Sequence, residues 1–255
     1  MLDSTLSQWE VFTGVPHASV TPLPAGYVRA AIGAAQAPVG LGDPFALFTM
    51  QRTSDGAPML RVSGQVFGGL TSRATFADYH LTVEVRWGER KWPPRLADPR
   101  DAGLLYHCQP PHGAFWKVWM RCLELQIQEG DVGDLHLLAG PSAAVRRVAE
   151  VWQPAGTLAR TSARVIRRAN HESPPGAWTR IDLYVVGDRA VHVVNGEVVL
   201  ALEQARGLDD APLTTGRLQV QSEGAECFLR DLRWRPITQL PASIAAAAGF
   251  TSTRR

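Results

Sequence analysis

Apolar and polar residues alternate in short runs along most of the chain: Met59–Val62, His80–Trp87, Leu104–Gln109, Val118–Gln128, Val165–Arg168, Arg180–Val186, Ala190–Val194, Glu197–Leu202, Arg217–Glu223 and Glu226–Trp234. A period of two sends successive side chains to opposite faces, so each run reads as a strand with one buried face. Turn pairs separate several of them, at Asp55-Gly56, Gly187-Asp188 and Asn195-Gly196. The last is the strongest hairpin signal, because both central residues of a type I′ turn need positive φ. Many short strands without amphipathic helices between them predict an all-β antiparallel sandwich, not a parallel βαβ sheet. Helix is expected only at Ser142–Glu150 and the alanine-rich Ser243–Gly249, neither with a convincing apolar face. No fixed-period repeat or linker divides the chain, which predicts one domain over residues 1–255, with its core at about 9–236 and a tail from 237 to 255.

The polar faces are distinctive in kind. In His80–Trp87, Leu81, Val83, Val85 and Trp87 share one face, and His80, Thr82, Glu84 and Arg86 the other. Strict alternation sets Leu105, His107 and Gln109 against Leu104, Tyr106 and Cys108. It sets Glu124, Gln126 and Gln128 against Leu123, Leu125 and Ile127, and Gln219, Gln221 and Glu223 against Leu218 and Val220. Taken singly, each strand fits an ordinary solvated face. Amides, which both donate and accept, suit the vicinal hydroxyls of a sugar ring when carboxylates and Trp stand nearby. Convergence of such strands on one sheet would make a carbohydrate site. The proline-rich loop Lys91–Arg100 is long for a hairpin connection, and long loops on a rigid sheet often carry function.

Composition narrows the field. A chain of 255 residues can bury a core without disulfides or metals, so stability alone explains no special residue. Eight Trp, 23 Gly and 18 Pro favour a turn-rich β protein. The 26 basic and 24 acidic residues are scattered, leaving no basic stripe for a phosphate backbone, so nucleic acid is not an expected partner. Cys108, Cys122 and Cys227 are odd in number and lack metal-ligand spacing, which predicts three buried or half-buried thiols. The first residues carry no basic, then apolar, signal, and no run reaches the roughly 18 apolar residues of a membrane span. A soluble protein is therefore expected, cytoplasmic unless a leader has been removed, in which case periplasmic or secreted. No cofactor is expected. Asp131 and Asp134 offer oxygen ligands for a structural calcium ion, but their loop lacks a recognised spacing and turn chemistry accounts for them better.

Several blocks together resemble the 3-keto-disaccharide hydrolase, or 3-keto-glucoside 1,2-lyase-like, family. They are Gly69-Leu-Thr71, Phe76-Ala-Asp-Tyr-His-Leu-Thr-Val-Glu-Val-Arg86, Asp101-Ala-Gly-Leu-Leu-Tyr-His107, Glu124-Leu-Gln-Ile-Gln-Glu129, Val194-Asn-Gly196 and the run from Gly216 to Asp231. The order holds from about Trp9 to Pro236. The resemblance implies a concanavalin-like jelly roll whose concave sheet faces a small carbohydrate, and an enzyme acting on 3-keto-glycosides. Many family members read Asn-Ser-Gly where this chain has Asp101-Ala-Gly103, and end that strand with Arg where it has His107.

A ketone at carbon 3 acidifies the proton on carbon 2; its removal expels the substituent on carbon 1, and water then completes a hydrolysis. Such a site needs a base, a group to stabilise the enolate and an acid for the leaving oxygen. Glu124 or His107 is the expected base. Arg86 and Lys91 are candidates for the enolate, and Gln126, Gln128, Gln221 and Trp92 for the hydroxyls and ring face. Glu84 stands beside them as a binding residue or as Arg86's ion-pair partner. His17, His112, His136, His171 and His192 read as surface or loop residues, Trp116 and Trp119 as packing residues, and Glu223, Glu226 and Arg230 as pairing among themselves. Two alternatives remain. A non-catalytic carbohydrate-binding module would bind sugar without turnover. A laminarinase-type glycosidase needs Glu-x-Asp-x-x-Glu, but here Gln126 replaces the Asp and Glu129 falls on the opposite face from Glu124.

Overall fold

A computed structural model describes residues 1–53 and 56–250; Asp55, of the expected Asp55-Gly56 turn, lies outside them. Two antiparallel sheets face each other. The seven-stranded sheet runs β2 (Gly40–Leu41), β1 (Trp9–Thr13), β5 (Gly68–Ser72), β16 (Arg217–Ser222), β7 (Asp101–Gln109), β8 (Arg121–Gln128) and β9 (Leu135–Leu138). The ten-stranded sheet runs β11 (Val151–Trp152), β10 (Ser142–Val148), β15 (Glu197–Arg206), β14 (Arg189–Val194), β13 (Thr179–Val186), β6 (Tyr79–Lys91), β17 (Ala225–Pro236), β4 (Pro58–Val62) and β3 (Phe48–Arg52), with β12 (Thr157–Thr161) also on β10. The chain changes sheet at each step from β4 to β5, β6 and β7, and again from β15 to β16 and β17. That wrapping of strand pairs around two sheets is a jelly roll.

The inner faces supply the core. Leu104, Tyr106, Leu123, Leu125, Ile127, Leu218 and Val220 of one sheet meet Leu81, Val83, Val85, Ile181, Leu183, Val191, Val193 and Leu229 of the other. Each such side chain, fully buried, is worth roughly 1.5–3 kcal/mol. His192, expected at the surface, is buried between the sheets, where its ring nitrogens meet the Tyr106 hydroxyl (3.0 Å) and the Gly133 carbonyl (2.9 Å). Burial lowers its pKa to about 4, so the ring is neutral and pins one sheet to the other.

Local chemistry explains most elements. Asn195 (φ 48°) and Gly196 (φ 88°) form the expected tight turn joining β14 to β15. Ser142–Glu150 is not helical: Ala143 and Val145 turn inward with period two, giving β10. Val118 does not begin β8, because Trp116 (φ 49°) and Lys117 (φ 60°) turn the chain so that Phe115 pairs with Trp119. Val165 and Ile166 make isolated bridges to Leu135 and Val151 in place of a strand. Residues 237–250 dock on the core: Ile237, Leu240, Ile244 and Phe250 pack against it around helix α1 (Ala242–Ala247), and Ala248 is buried. The three cysteines are free and buried. Among the described residues no helix is long and apolar enough to cross a membrane.

Candidate active site

Directly opposite residues on antiparallel strands point to the same side. On the seven-stranded sheet this lines up Thr71, Gln219, Leu105, Glu124 and His136 across β5, β16, β7, β8 and β9. A parallel row pairs Gln221 with Gly69, and Gly103 with Gln126. A third pairs Asp101 with Gln128. These residues occupy the face turned away from the core, yet Glu124 is only 4% exposed and Gln126, Gln219, Gln221, Asp101 and Glu223 are also buried. On one flank, Trp119, Met120 and Val118 pack with Leu105, Cys122 and Leu138 in a second apolar cluster over the sheet. On the other lies the loop that ends β6.

Glycine shapes the floor between the flanks. A Cβ on Gly103 would collide with Oε1 of both Gln221 and Glu124, so the two side-chain ends lean together over a residue that has none. A Cβ on Gly69 would likewise strike the Gln219 amide, which donates to the Thr71 hydroxyl at 2.7 Å. Gln221 Oε1 is buried without a partner among the described residues. Gln126 uses its own Oε1 to accept from the Ile127 N–H at 2.9 Å. No hydrogen bond or ion pair holds the Glu124 carboxyl within the described residues. Burial, and secondly the nearby Asp101, push its pKa well above the ordinary carboxylate range.

Arg95 organises the loop side. Its guanidinium meets Asp101 (2.5 Å), Glu223 (3.2 Å) and Gln128 Oε1 (3.2 Å). The short Arg95–Asp101 contact speaks for an ionised Asp101, whereas burial pushes that carboxyl up to about 7 and raises Glu223 as well. One cation cannot compensate two buried carboxylates, so the pair retains a proton near neutral pH.

The structure gathers only part of the expected site. Glu124, Gln126, Gln128 and Gln221 share the face. His107 does not join Glu124: it has φ 52°, and the β7–β8 register shifts between Tyr106 and Gln109. After that bulge Cys108, not His107, packs beside Leu105, and His107 lies against Tyr106 at 5.6 Å between ring centres. Burial lowers its pKa to about 4, with Asp78 its charged neighbour. Arg86 and Glu84 sit on β6, on the outer face of the opposite sheet; Arg86 stacks over Trp178 (4.6 Å) and Glu84 binds Arg230 (2.6 Å). The Lys91 ammonium reaches the Asp98 carbonyl, and the Trp92 indole donates to the Ser63 carbonyl at 2.9 Å, so both fold the loop. Glu223 and Glu226 pair with Arg95 and Arg61, not with Arg230. Trp119 packs as expected, while Trp116 is 61% exposed. Asp131 and Asp134 are claimed by Arg164 and Arg167 at 2.5–3.1 Å, which leaves them poorly suited to calcium. No group of three or more His, Cys, Asp or Glu among the described residues could hold a metal ion.

His136, Arg95, Asp101, Glu223 and Gly103 are the additions. His136 stands opposite Glu124 on the edge strand, its Nε2 buried without a partner among the described residues. Burial and Arg164 lower its pKa, while Asp134 and Asp131 oppose the shift. Alternation in Leu135–Leu138 was the available signal, but four residues are too few to read.

A cleft of about 280 Å³ opens between Val15, Pro16, His17, Gln65, Val66, Phe67, Pro93 and Pro94. Phe67 stacks on Trp119 (5.7 Å), and Pro94 precedes Arg95, so the cleft lies between the two flanks of the acidic floor. A larger cavity of about 500 Å³, at Arg86, Arg100 and Phe228, lies on the other sheet, away from Glu124.

Fold and face define a jelly-roll sandwich with a buried cluster of acids and amides, the candidate site, on one sheet. The chain belongs to the 3-keto-alpha-glucoside-1,2-lyase-like domain family, whose model matches residues 3–235. Among curated proteins none matches. Similar solved structures include the carbohydrate-binding module CBM66 from Bacillus subtilis, at 9% identity and TM-score 0.46 over 74% of this chain and 91% of that one. A protein with a galectin-like fold from Bacillus subtilis has 13% identity and TM-score 0.44 over 74% and 86%. A family 7 alginate lyase, A1-II′, has 11% identity and TM-score 0.44 over 91% and 96%. At these values the likenesses carry no argument about function.

Proposed function

We propose that the chain cleaves glycosides already oxidised at carbon 3. Glu124 takes the carbon-2 proton, the electron pair moves onto the ketone oxygen as an enolate, and its return expels the carbon-1 oxygen substituent. Addition of water to the resulting enone gives net hydrolysis. The observation that carries this reading is Glu124 itself, a buried carboxyl without a partner among the described residues, held over Gly103 among amides. Its raised pKa makes the ionised form a stronger base than a solvated carboxylate. After the first transfer it holds the proton that the departing oxygen needs. Gln221 and Gln126 offer donors and acceptors for ring hydroxyls, and Arg95, its charge offset by Asp101 and Glu223, keeps a buried Nε–H without a partner among the described residues as a donor for the enolate oxygen. His136, opposite Glu124, takes the place expected of His107 as the second titrating group.

The test is to incubate the protein with a 3-keto-disaccharide and, separately, with the unoxidised sugar. Cleavage of the keto form alone, with carbon-2 deuterium exchange in heavy water that Glu124→Gln loses, is the expected result. Cleavage of the unoxidised sugar, or binding without any turnover, would overturn the reading.

A further inference from the structure

The two ends of the site differ in chemistry. Beside Glu124 stand Leu105 on β7 and His136 on β9, and the rest of its surroundings is carboxyl and amide: Asp101, Glu223, Gln126, Gln219 and Gln221. The adjoining cleft is walled instead by Val15, Pro16, Val66, Phe67, Pro93 and Pro94. Its two polar members are Gln65 and His17, and His17 Nδ1 already meets Ser19 at 3.0 Å.

The cleft is tied rigidly to the floor. Ser222, next to Gln221, donates to the Val66 carbonyl at 2.7 Å, and the Trp119 indole donates to the Gly68 carbonyl at 3.0 Å. The Trp92 N–H binds the Gly224 carbonyl at 2.8 Å, holding Pro93 and Pro94 against the β16–β17 turn. The Glu124 carboxyl leans over Gly103 on β7, and Phe67 directly precedes β5, two strands away. Phe67 also lies two residues along from Gly69, which shares the row of Gln221, so two strand spacings and two residues separate the backbones by roughly 12 Å, and a pyranose ring with its glycosidic oxygen reaches between the side chains that project from them.

We propose that this cleft is the aglycone subsite and that it selects 3-keto-glycosides whose leaving group is an apolar aromatic ring over those whose leaving group is a second sugar. A second sugar would bring several hydroxyls into a space with two polar side chains, leaving most of its hydrogen bonds with water unreplaced. An aromatic ring loses nothing there and gains contact with Phe67 and the prolines. Cavities of about 150 Å³ already accept benzene, and this one holds about 280 Å³, enough for one substituted ring. The expelled group then leaves as a phenol, its oxygen keeping the C–O bonding pair and taking one proton.

This specificity rests on the elimination chemistry above, and the experiment separates the two. The kcat/KM values of the 3-keto forms of a p-nitrophenyl glucoside, a methyl glucoside and a glucose disaccharide are compared. The aryl substrate is expected to exceed the disaccharide by about tenfold or more, partly because p-nitrophenol leaves more readily than a sugar hydroxyl; the share the pocket supplies, on the order of tenfold, is read from the variants. Phe67→Ser and, at the rim, Val15→Asp should each lower the aryl-to-methyl ratio by a similar factor; Val15→Asp keeps the test open should Phe67→Ser fail to fold. Turnover of all three at equal kcat/KM, or an unchanged ratio in a folded variant, overturns the aglycone assignment and leaves the elimination standing. Turnover of none overturns both.

Discussion

Burying Glu124 without a partner among the described residues costs the folded state free energy whenever the carboxyl is ionised. Its folded pKa lies above the ordinary 4.5, so as pH rises the unfolded chain releases this proton first. From about 4.5 upward to the raised value, the folded state binds more protons than the unfolded one, and this group's contribution to stability therefore falls with rising pH. Glu124→Gln is expected to melt above the parent protein at pH 8, with the gap closing towards pH 4. The same substitution should lower kcat by roughly 10²–10⁴-fold, the range for loss of a positioned base. Equal melting temperatures at both pH values would show that the carboxyl is not held neutral by burial. In the parent protein kcat/KM should climb with pH as Glu124 ionises, with a midpoint displaced upward from the ordinary carboxylate range, a slope visible in a simple pH profile. Gly103→Ala tests the floor. The new methyl meets the movable ends of Gln221 and Glu124, not backbone, so the fold should survive while kcat/KM drops roughly 10²-fold from displacement of the base.

Strand β9 reaches Glu124 because the turn before it is locked. Asp134 is completely buried and accepts from Arg164 Nε, the Arg167 N–H and Arg167 Nη1, each at 2.9 Å. Replacing it by Ala leaves Arg167 buried with Asp131 as its remaining carboxylate partner and removes these three hydrogen bonds to Asp134, which should cost roughly 2–3 kcal/mol in urea unfolding. A loss below 1 kcal/mol would show that the arginines are solvated instead. The sheet is legible where alternation runs without a bulge: β13, β16 and the His80–Trp87 part of β6 follow the period-two pattern, whereas β17 changes parity at Asp231 (φ 52°). Short strands such as β2, β9 and β11 carry too few residues for a period, and in β10 the Ala and Arg residues favour helix while tertiary packing imposes a strand. The bulge in β7 is the instructive case. Leu104–Gln109 alternates cleanly, yet one residue with left-handed φ exchanges His107 for Cys108 on the site face. Arg95 is hidden in the sequence for a different reason: although Asp101 follows in the same loop, Gln128 and Glu223 lie 33 and 128 residues away and meet it only in the folded sheet.

A sandwich has two outer faces, and alternation within a strand cannot say which sheet the strand joins. Glu84 and Arg86 alternate as correctly as Glu124 and Gln126, but β6 belongs to the ten-stranded sheet and β8 to the seven-stranded one. The entire core therefore separates the two sets. Arg86 lies over Trp178 and, at 5.5 Å, over Phe228; Arg230 approaches Trp178 from 4.2 Å while binding Glu84. That arrangement is a half-exposed lattice of cation–aromatic and ionic contacts, each worth about 1 kcal/mol or less. Arg86→Ala should consequently lower stability slightly and change kcat/KM on a 3-keto-glycoside by less than about twofold, since no charge beside the reacting carbons is removed. Arg95→Ala removes the guanidinium that Asp101 and Glu223 share, strands two carboxyls on the Glu124 face, and should depress kcat/KM by roughly 10²-fold or more. Measured side by side, the two arginines decide which sheet does the chemistry. A large loss from Arg86→Ala with little from Arg95→Ala would move the active face to the opposite side of the molecule.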